Sequence, residues 1–455
     1  MSALSVVILA AGQGTRMRSE LPKVLHEVAG KPMLQHVIDA AGKLSASAIY
    51  VVYGHGGDMV RSSLAGQPVH WVEQSEQLGT GHAVNQAMPG IPGEHTVMVL
   101  YGDVPLITDR TLKQLATAAK KGLGLLTTHL PEPRGYGRIV RDEEDNVLAI
   151  VEEKDASEQQ RTIREVNTGM LAVSAANLRR WLDTLDNNNA QGEYYLTDII
   201  AKAVSEGVPV QTVNPELIAE VMGVNNRVQL AELERDYQRR QCEELMMSGV
   251  TLRDPDRFDL RGNLTAGQDV IIDVNAVMEG DVSLGDGVII GPNCYLRDVT
   301  VAAGTRINSH SVLEQADIGA DCRIGPFARV RPETQLADNV HIGNFVEVKK
   351  SQVATGSKIN HLSYVGDTVI GSGVNVGAGV ITCNYDGANK HRTVIGDNAF
   401  IGSDTQLVAP VEVGAGATIG AGSTITHDTP AGELTLSRIR QKTVNGWHRP
   451  TKKTD

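Results

Sequence analysis

From Ile395 onward an aliphatic residue recurs at every sixth position, at Ile395, Ile401, Leu407, Val413, Ile419 and Ile425, and several of them are followed directly by glycine. A second run, Ile318, Ile324, Val330, Leu336, Ile342 and Val348, keeps the same interval. One short repeat cannot bury its apolar position alone, so copies stack into a solenoid, and a six-residue period marks a parallel β-helix. The repeat takes over beyond Asp254-Pro255 and runs to about Ile425, and from Gly432 to Asp455 the interval is lost. Between Val376 and Ile395 it is interrupted by Cys383-Asn-Tyr-Asp-Gly-Ala-Asn-Lys-His-Arg392. An insertion of this kind predicts a loop on one face of the stack, often the face that binds.

The first half of the chain has another pattern. Short continuous apolar runs, residues 5–9, 48–52, 96–100 and 123–127, are bounded by Gly, Asp or Pro and separated by amphipathic stretches. Strands that are apolar on both sides predict a mostly parallel, Rossmann-like sheet covered by helices. In such α/β folds ligands sit beyond the carboxyl ends of the strands. Residues 227–247 contain no Gly or Pro, repeat Val228, Leu233, Tyr237 and Leu245 at roughly helical spacing and end at Gly249. They read as a connecting helix. The expected division is a first domain over 1–226, the helix over 227–250 and a β-helix domain over 251–455.

Composition narrows the function classes. The length of 455 residues suggests two or three domains, and 47 glycines with only 4% aromatics suit tight solenoid corners. A net charge of −12 argues against wholesale nucleic-acid binding, so an anionic ligand needs a local cluster of cations. One such gathering is the tail, with Arg438, Arg440, Lys442, Arg449, Lys452 and Lys453. Cys242, Cys294, Cys322 and Cys383 are widely spaced and suggest neither a disulfide framework nor a zinc site. The apolar opening, residues 4–11, is too short to cross a membrane and no positive charge precedes it, so a soluble cytoplasmic protein with no membrane partner is expected.

Directly after the first strand stands Leu9-Ala-Ala-Gly-Gln-Gly-Thr-Arg-Met17, followed by Pro22-Lys23. Gly12 and Gly14 let the backbone close on a ligand with its N–H groups exposed to phosphate, and Arg16 and Lys23 supply the charge a triphosphate needs. The spacing fits neither the dinucleotide glycine pattern nor the P-loop. The string resembles the signature of sugar-nucleotide pyrophosphorylases, nucleotidyltransferases that join a nucleoside triphosphate to a sugar 1-phosphate. Gln74 with Gly79-Thr-Gly-His-Ala83 is similar to the base-recognition region of that family, and Tyr101-Gly-Asp103 and Val224-Asn225-Asn226 also match. The resemblance implies Asp103 and Asn225 as oxygen ligands of Mg²⁺, an ion that takes few protein oxygens besides phosphate and water. The sugar phosphate would attack the α-phosphorus in line, with pyrophosphate leaving near Arg16 and Lys23.

In the repeat, His361 stands in Asn360-His-Leu-Ser-Tyr364, with Arg331, Lys349 and Lys350 one to two coils upstream and the Asn384-Tyr385 loop downstream. Cations at one level of a prism can hold a sugar phosphate beside a general base. The order and length of these parts resemble the bacterial bifunctional N-acetylglucosamine-1-phosphate uridyltransferase and glucosamine-1-phosphate acetyltransferase family. Gly135-Tyr-Gly137, Asn167-Thr-Gly169, residues 187–195, residues 258–262, Gly343-Asn-Phe-Val-Glu347 and residues 383–389 extend the match over essentially the whole chain.

The resemblance implies a homotrimer that acetylates glucosamine 1-phosphate from acetyl-CoA and then joins N-acetylglucosamine 1-phosphate to UTP, feeding peptidoglycan and lipopolysaccharide precursors. It assigns Leu9, Ala10, Ala11, Gly12, Lys23, Gln74, Gly79, Thr80, Tyr101, Gly102, Asp103, Gly137, Glu152, Asn167 and Asn225 to the uridyl site. It assigns His361 as the acetyl-transfer base, Arg331, Lys349, Tyr364 and Asn375 to the sugar phosphate, and Ala378, Asn384, Tyr385, Ser403, Ala421 and Arg438 to acetyl-CoA. Gln13 departs from the pattern, since this position is often Lys in the family. The resemblance also implies a left-handed β-helix, where the general crossover rule leads one to expect a right-handed one. The competing reading is a single-activity pyrophosphorylase with a purely structural β-helix, which would need neither His361 nor the Asn384 loop.

Overall fold

The computed structural model describes residues 3–452, so Lys453 of the basic tail lies outside the described residues. The chain divides into two compact units, residues 1–237 and 238–455. The helix Arg227–Met247 spans that division. Its Leu233 joins an apolar cluster with Met17 and Met33 in the first unit, and its Cys242 is part of the β-helix core in the second.

The first unit is built on a nine-stranded sheet. Its main path runs Val210–Val213, Leu123–His129, Glu165–Ser174, Thr96–Tyr101, Leu4–Ala10, Ala48–Tyr53, His70–Glu73. Only Glu165–Ser174 runs against its neighbours on this path. The continuous apolar runs follow from burial on both faces. In Leu4–Ala10, Val7 and Leu9 pack with Val84 and Trp181 on one side. Val6, Ile8 and Ala10 pack with Leu34, Val37 and Leu112 on the other. Leu4–Ala10 lies between Ala48–Tyr53 and Thr96–Tyr101, all three parallel. The loops leaving Ala10 and Tyr101 therefore emerge side by side, and Gly102 N donates to Leu9 O at 2.9 Å.

The second unit is a stack of parallel strands on three faces. The first face is an eleven-stranded ladder from Thr251–Leu252 to Leu434–Thr435. The other two diverge at Val312–Ile318, which pairs with both Arg329–Val330 and Thr334–Leu336. The aliphatic positions at the sixfold interval, from Ile318 to Val348 and from Ile395 to Ile425, are all 4% exposed or less and line one continuous core. Stacked residues lie 17 or 18 apart in sequence, as Ser357 with Val374 and Ala320 with Asp338 do. Across the predicted loop the interval becomes 25, as between Ser372 and Asp397, so the insertion bulges from the stack without changing its register. Coils approach closely enough that a Cβ on Gly343 would stand 1.9 Å from Asn360 O. The repeat ends later than its sixfold interval: Leu434–Thr435 still pairs with Thr418–Ile419, because backbone hydrogen bonds can extend a ladder without an aliphatic residue at each step.

Among the described residues no helix is long and apolar enough to cross a membrane, and no group of three or more His, Cys, Asp or Glu side chains is placed to hold a metal ion.

Candidate active sites

A cavity of about 550 Å³ opens beyond the carboxyl ends of Leu4–Ala10 and Thr96–Tyr101. Of the residues expected there, Leu9, Ala10, Ala11, Gly12, Lys23, Gln74, Gly79, Thr80, Tyr101 and Asp103 line it. Gln13, the departure noted in the glycine loop, lines it as well, and so do Gln77 and Glu193, which were not expected. Gln77 Nε2 donates to Ala11 O at 2.9 Å and so pins the glycine loop, a contact between residues 66 apart that no local motif announces.

The base-recognition segment is braced from behind. Gln74, 4% exposed, donates from Nε2 to Gly79 O at 3.2 Å. Gly79 has φ 112°, and a Cβ there would meet the Tyr194 backbone at 2.7 Å, so only glycine fits. Gly81 N donates to Tyr194 O at 2.8 Å and Leu196 N donates to Thr80 Oγ1 at 3.1 Å. The segment 187–195 thus supports the segment 79–81.

The charged end of the cavity is organised around Lys23. Its Nζ forms an ion pair with Asp103 Oδ2 and donates to Asn225 Oδ1 at 3.3 Å. Arg16 is exposed, outside the cavity lining, and donates from Nη2 to the same Asn225 oxygen at 3.0 Å. Two hard oxygens from distant parts of the chain therefore already converge on one positive charge. This donor set suits a divalent cation that completes its shell with phosphate and water.

Gly137, Glu152 and Asn167 gather outside the lining of that cavity. Asn167 N donates to Gly137 O at 2.9 Å, and Asn167 Oδ1 accepts from Gly169 N at 3.0 Å. Glu152 accepts from the Thr197 hydroxyl at 3.1 Å. Burial pushes its carboxyl above the usual range, the Thr197 bond opposes this, and Asp198 and Asp155 add to it. Burial, then the charges of Glu152 and Asp103, hold the Tyr101 phenol protonated far above its ordinary value.

In the β-helix the expected residues form two groups. Arg331, Lys349, Tyr364 and Asn384 lie on and just past the second face, where Glu347–Lys349 pairs with Tyr364–Gly366. Arg331 Nη1 donates to Glu347 Oε1 at 2.7 Å, and Asn384 Nδ2 reaches the Tyr364 hydroxyl at 3.5 Å. Lys390, which was not expected, comes back from the insertion to Lys349, and that contact holds the Lys349 ammonium below its ordinary pKa, with burial assisting. Tyr385 is exposed, and its hydroxyl closes the loop onto Gly387 O at 2.6 Å.

His361 ends the first-face strand Lys358–His361 and begins the second group. A ladder of backbone bonds climbs from it along one edge. Gly379 N donates to His361 O at 3.2 Å, Asp404 N to Ala378 O at 2.7 Å, and Gly422 N to Ser403 O at 2.8 Å. Arg438 Nη1 then bonds to Ala421 O at 3.0 Å. Ala378, Ser403, Ala421 and Arg438 thus form a column above His361. Asn375 pairs with Lys358, at the opposite end of that strand from His361, so the single chain does not bring it to the histidine.

A nucleotidyltransferase-type α/β unit joined to a hexapeptide β-helix defines a class of bifunctional transferase. The chain matches the MobA-like NTP transferase domain family over residues 6–185, the GMPPB C-terminal domain over 260–340 and the bacterial transferase hexapeptide repeats over 392–427. It is 58% identical over 453 residues to the bifunctional protein GlmU of Alkalilimnicola ehrlichii, covering 100% of this chain and 98% of the relative. It is 60% identical over 453 residues to that of Marinobacter nauticus, covering 99% and 100%, and 59% identical over 455 residues to that of Nitrosospira multiformis, covering 100% and 99%. The chain belongs to the GlmU family of bifunctional proteins. Membership of this nucleotidyltransferase family implies a divalent cation at the first site.

Proposed function

We propose that the protein makes UDP-N-acetylglucosamine in two steps, for use in peptidoglycan and lipopolysaccharide precursors. The β-helix, residues 251–455, acetylates glucosamine 1-phosphate from acetyl-CoA. The first domain, residues 1–226, transfers uridylate from UTP to N-acetylglucosamine 1-phosphate and releases pyrophosphate, and 227–250 connects the two. The observation that carries the reading is the convergence of Asp103 and Asn225 on Lys23, with Lys23 and Asp103 lining the cavity beyond the strand ends.

At the uridyl site Gln74 and Gly79 hold the base, and the glycine loop with Lys23 and Arg16 takes the triphosphate. Gly137, Glu152 and Asn167 hold the sugar. Asp103 and Asn225 would hold Mg²⁺, which supplies neutralisation of phosphate charge when bound. Lys23 then turns from the carboxylate to the phosphates. In the β-helix, Arg331, Lys349, Tyr364 and Asn375 hold the sugar phosphate and His361 takes the proton from the amine as nitrogen attacks the thioester. Ala378, Asn384, Tyr385, Ser403, Ala421 and Arg438 meet the coenzyme.

A homotrimer in the cytoplasm completes the proposal, with neighbouring subunits supplying what one chain separates. Support comes from an exposed edge on which His310, Phe327 and Phe345 stack at centroid distances of 4.7 and 5.2 Å. An apolar edge of this kind is a candidate for association. The test is to supply glucosamine 1-phosphate, acetyl-CoA and each nucleoside triphosphate in turn. Only UTP should yield the acetylated sugar nucleotide and pyrophosphate, and product with no acetyl-CoA dependence would refute the second activity.

A further inference from the structure

We propose that Glu220 is a positioning residue for the cation site, joining the two chain segments that deliver Asp103 and Asn225. The inference rests on the reading of those two side chains as the cation's oxygen ligands.

From Asp103 the chain runs through Val104, Leu106 and Ile107, all buried, to Thr108, the N-cap of the helix Asp109–Ala118. Asn225 is approached from the other direction, through the turn Ile218–Val221 and Val224. The segments are tied at two places. At the site end, Val224 N donates to Asp103 O at 3.0 Å. At the far end, Glu220 Oε2 accepts from Thr108 Oγ1 at 2.6 Å and from Thr111 Oγ1 at 2.7 Å, while its Oε1 accepts from Leu217 N at 3.2 Å.

Thr108 stands five residues after Asp103, and Glu220 five residues before Asn225. Two arms of equal length are thus pinned at both ends, and the distance between the oxygens at their tips is set by those pins. A carboxyl only 2% exposed is costly unless its oxygens accept hydrogen bonds, and this one accepts three. The helix start needs no such help, because the Thr108 hydroxyl already caps it by accepting from Thr111 N at 3.3 Å. What the Glu220 contact adds is a fixed separation between the arms.

The test measures manganese(II) binding to the full-length protein by electron paramagnetic resonance, with a non-hydrolysable UTP analogue present, and both activities on the same samples. Glu220→Ala should weaken manganese binding and raise the cation concentration for half-maximal uridyl transfer about tenfold, the usual effect of removing a group that orients a ligand. Acetyl transfer should stay at the wild-type rate. Glu220→Gln should recover most of the loss, since the threonine hydroxyls can rotate to suit an amide. Should the alanine variant fail to fold, Thr111→Val removes one donor from the same oxygen and should shift the cation dependence in the same direction. Wild-type manganese affinity in these variants, or a fall in uridyl kcat with no change in cation dependence, would overturn the proposal. Asp103→Ala serves as the control: if it also keeps manganese affinity, the ligand reading has failed rather than the role of Glu220.

Discussion

His361 Nδ1 stands 2.9 Å from Oδ1 of Asn344, the residue paired with it on the preceding coil. An amide oxygen only accepts, so in the neutral ring this contact favours the tautomer with its hydrogen on Nδ1, which leaves the Nε2 lone pair open. His361→Ala is expected to lower acetyl transfer by about 10²–10⁴-fold with uridyl transfer unchanged. Asn344→Ala should lower acetyl kcat more than it alters KM, because the ring then loses its preferred tautomer. Separate assays of the two half-reactions decide this, and a parallel fall of both would show that the sites are not independent.

Asp103→Ala should have the opposite signature. With Lys23 and Asn225 left facing no carboxylate, uridyl transfer should fall at least about a hundredfold, the scale of losing one charge-stabilising group. Acetyl transfer should persist at full rate. Pyrophosphate release and coenzyme A release, followed on one sample, read the two activities side by side.

If Glu152 holds the sugar as proposed, it should set an acid limit on sugar binding. Its raised pKa, caused first by burial, means that it is neutralised on acidification before an ordinary glutamate would be. The neutral form is the poorer acceptor for sugar hydroxyls, so KM for N-acetylglucosamine 1-phosphate should rise as pH falls, starting above the usual carboxylate range. Glu152→Gln should raise KM at neutral pH and abolish that acid limb. A KM profile from pH 5 to 8, run on both proteins, checks the sign.

Ile342 is 1% exposed and stacks between Ile324 and Ile359 on neighbouring coils. Ile342→Ala should destabilise the β-helix by about 2–5 kcal/mol, the cost of lost burial plus a cavity. Because each coil relies on its neighbours, acetyl transfer should be lost at lower temperature than in the wild type. Uridyl transfer at moderate temperature should be spared. Thermal inactivation of the two activities makes the comparison.

Much of the architecture was legible along the chain. The sixfold aliphatic interval marked inward positions because each one is an inward turn of the same coil, and the helix Arg227–Met247 covers the Gly- and Pro-free stretch, ending three residues before the 250 expected of the connecting segment. The ladder runs past the last residue of that interval, since Leu434–Thr435 pairs through backbone groups that leave no trace in side-chain pattern. Of the sites, the glycine loop and His361 stood out by residue type. Gln77, Lys390 and Glu220 did not, because each acts on partners far away in sequence.

Residue pattern by itself determined the two kinds of fold, the helix between them and the place of the inserted loop, all consequences of local period and backbone preference. Only tertiary structure decided which charges meet. Lys23 lies 80 residues from Asp103 and 202 from Asn225, and the order of strands in the sheet brings them to one point. In the β-helix the register of 17 or 18 residues per coil puts Asn344 under His361, and the same register carries Asn375 away from it. Such meetings depend on hydrogen-bond register summed over many strands, a quantity that no short stretch of sequence contains.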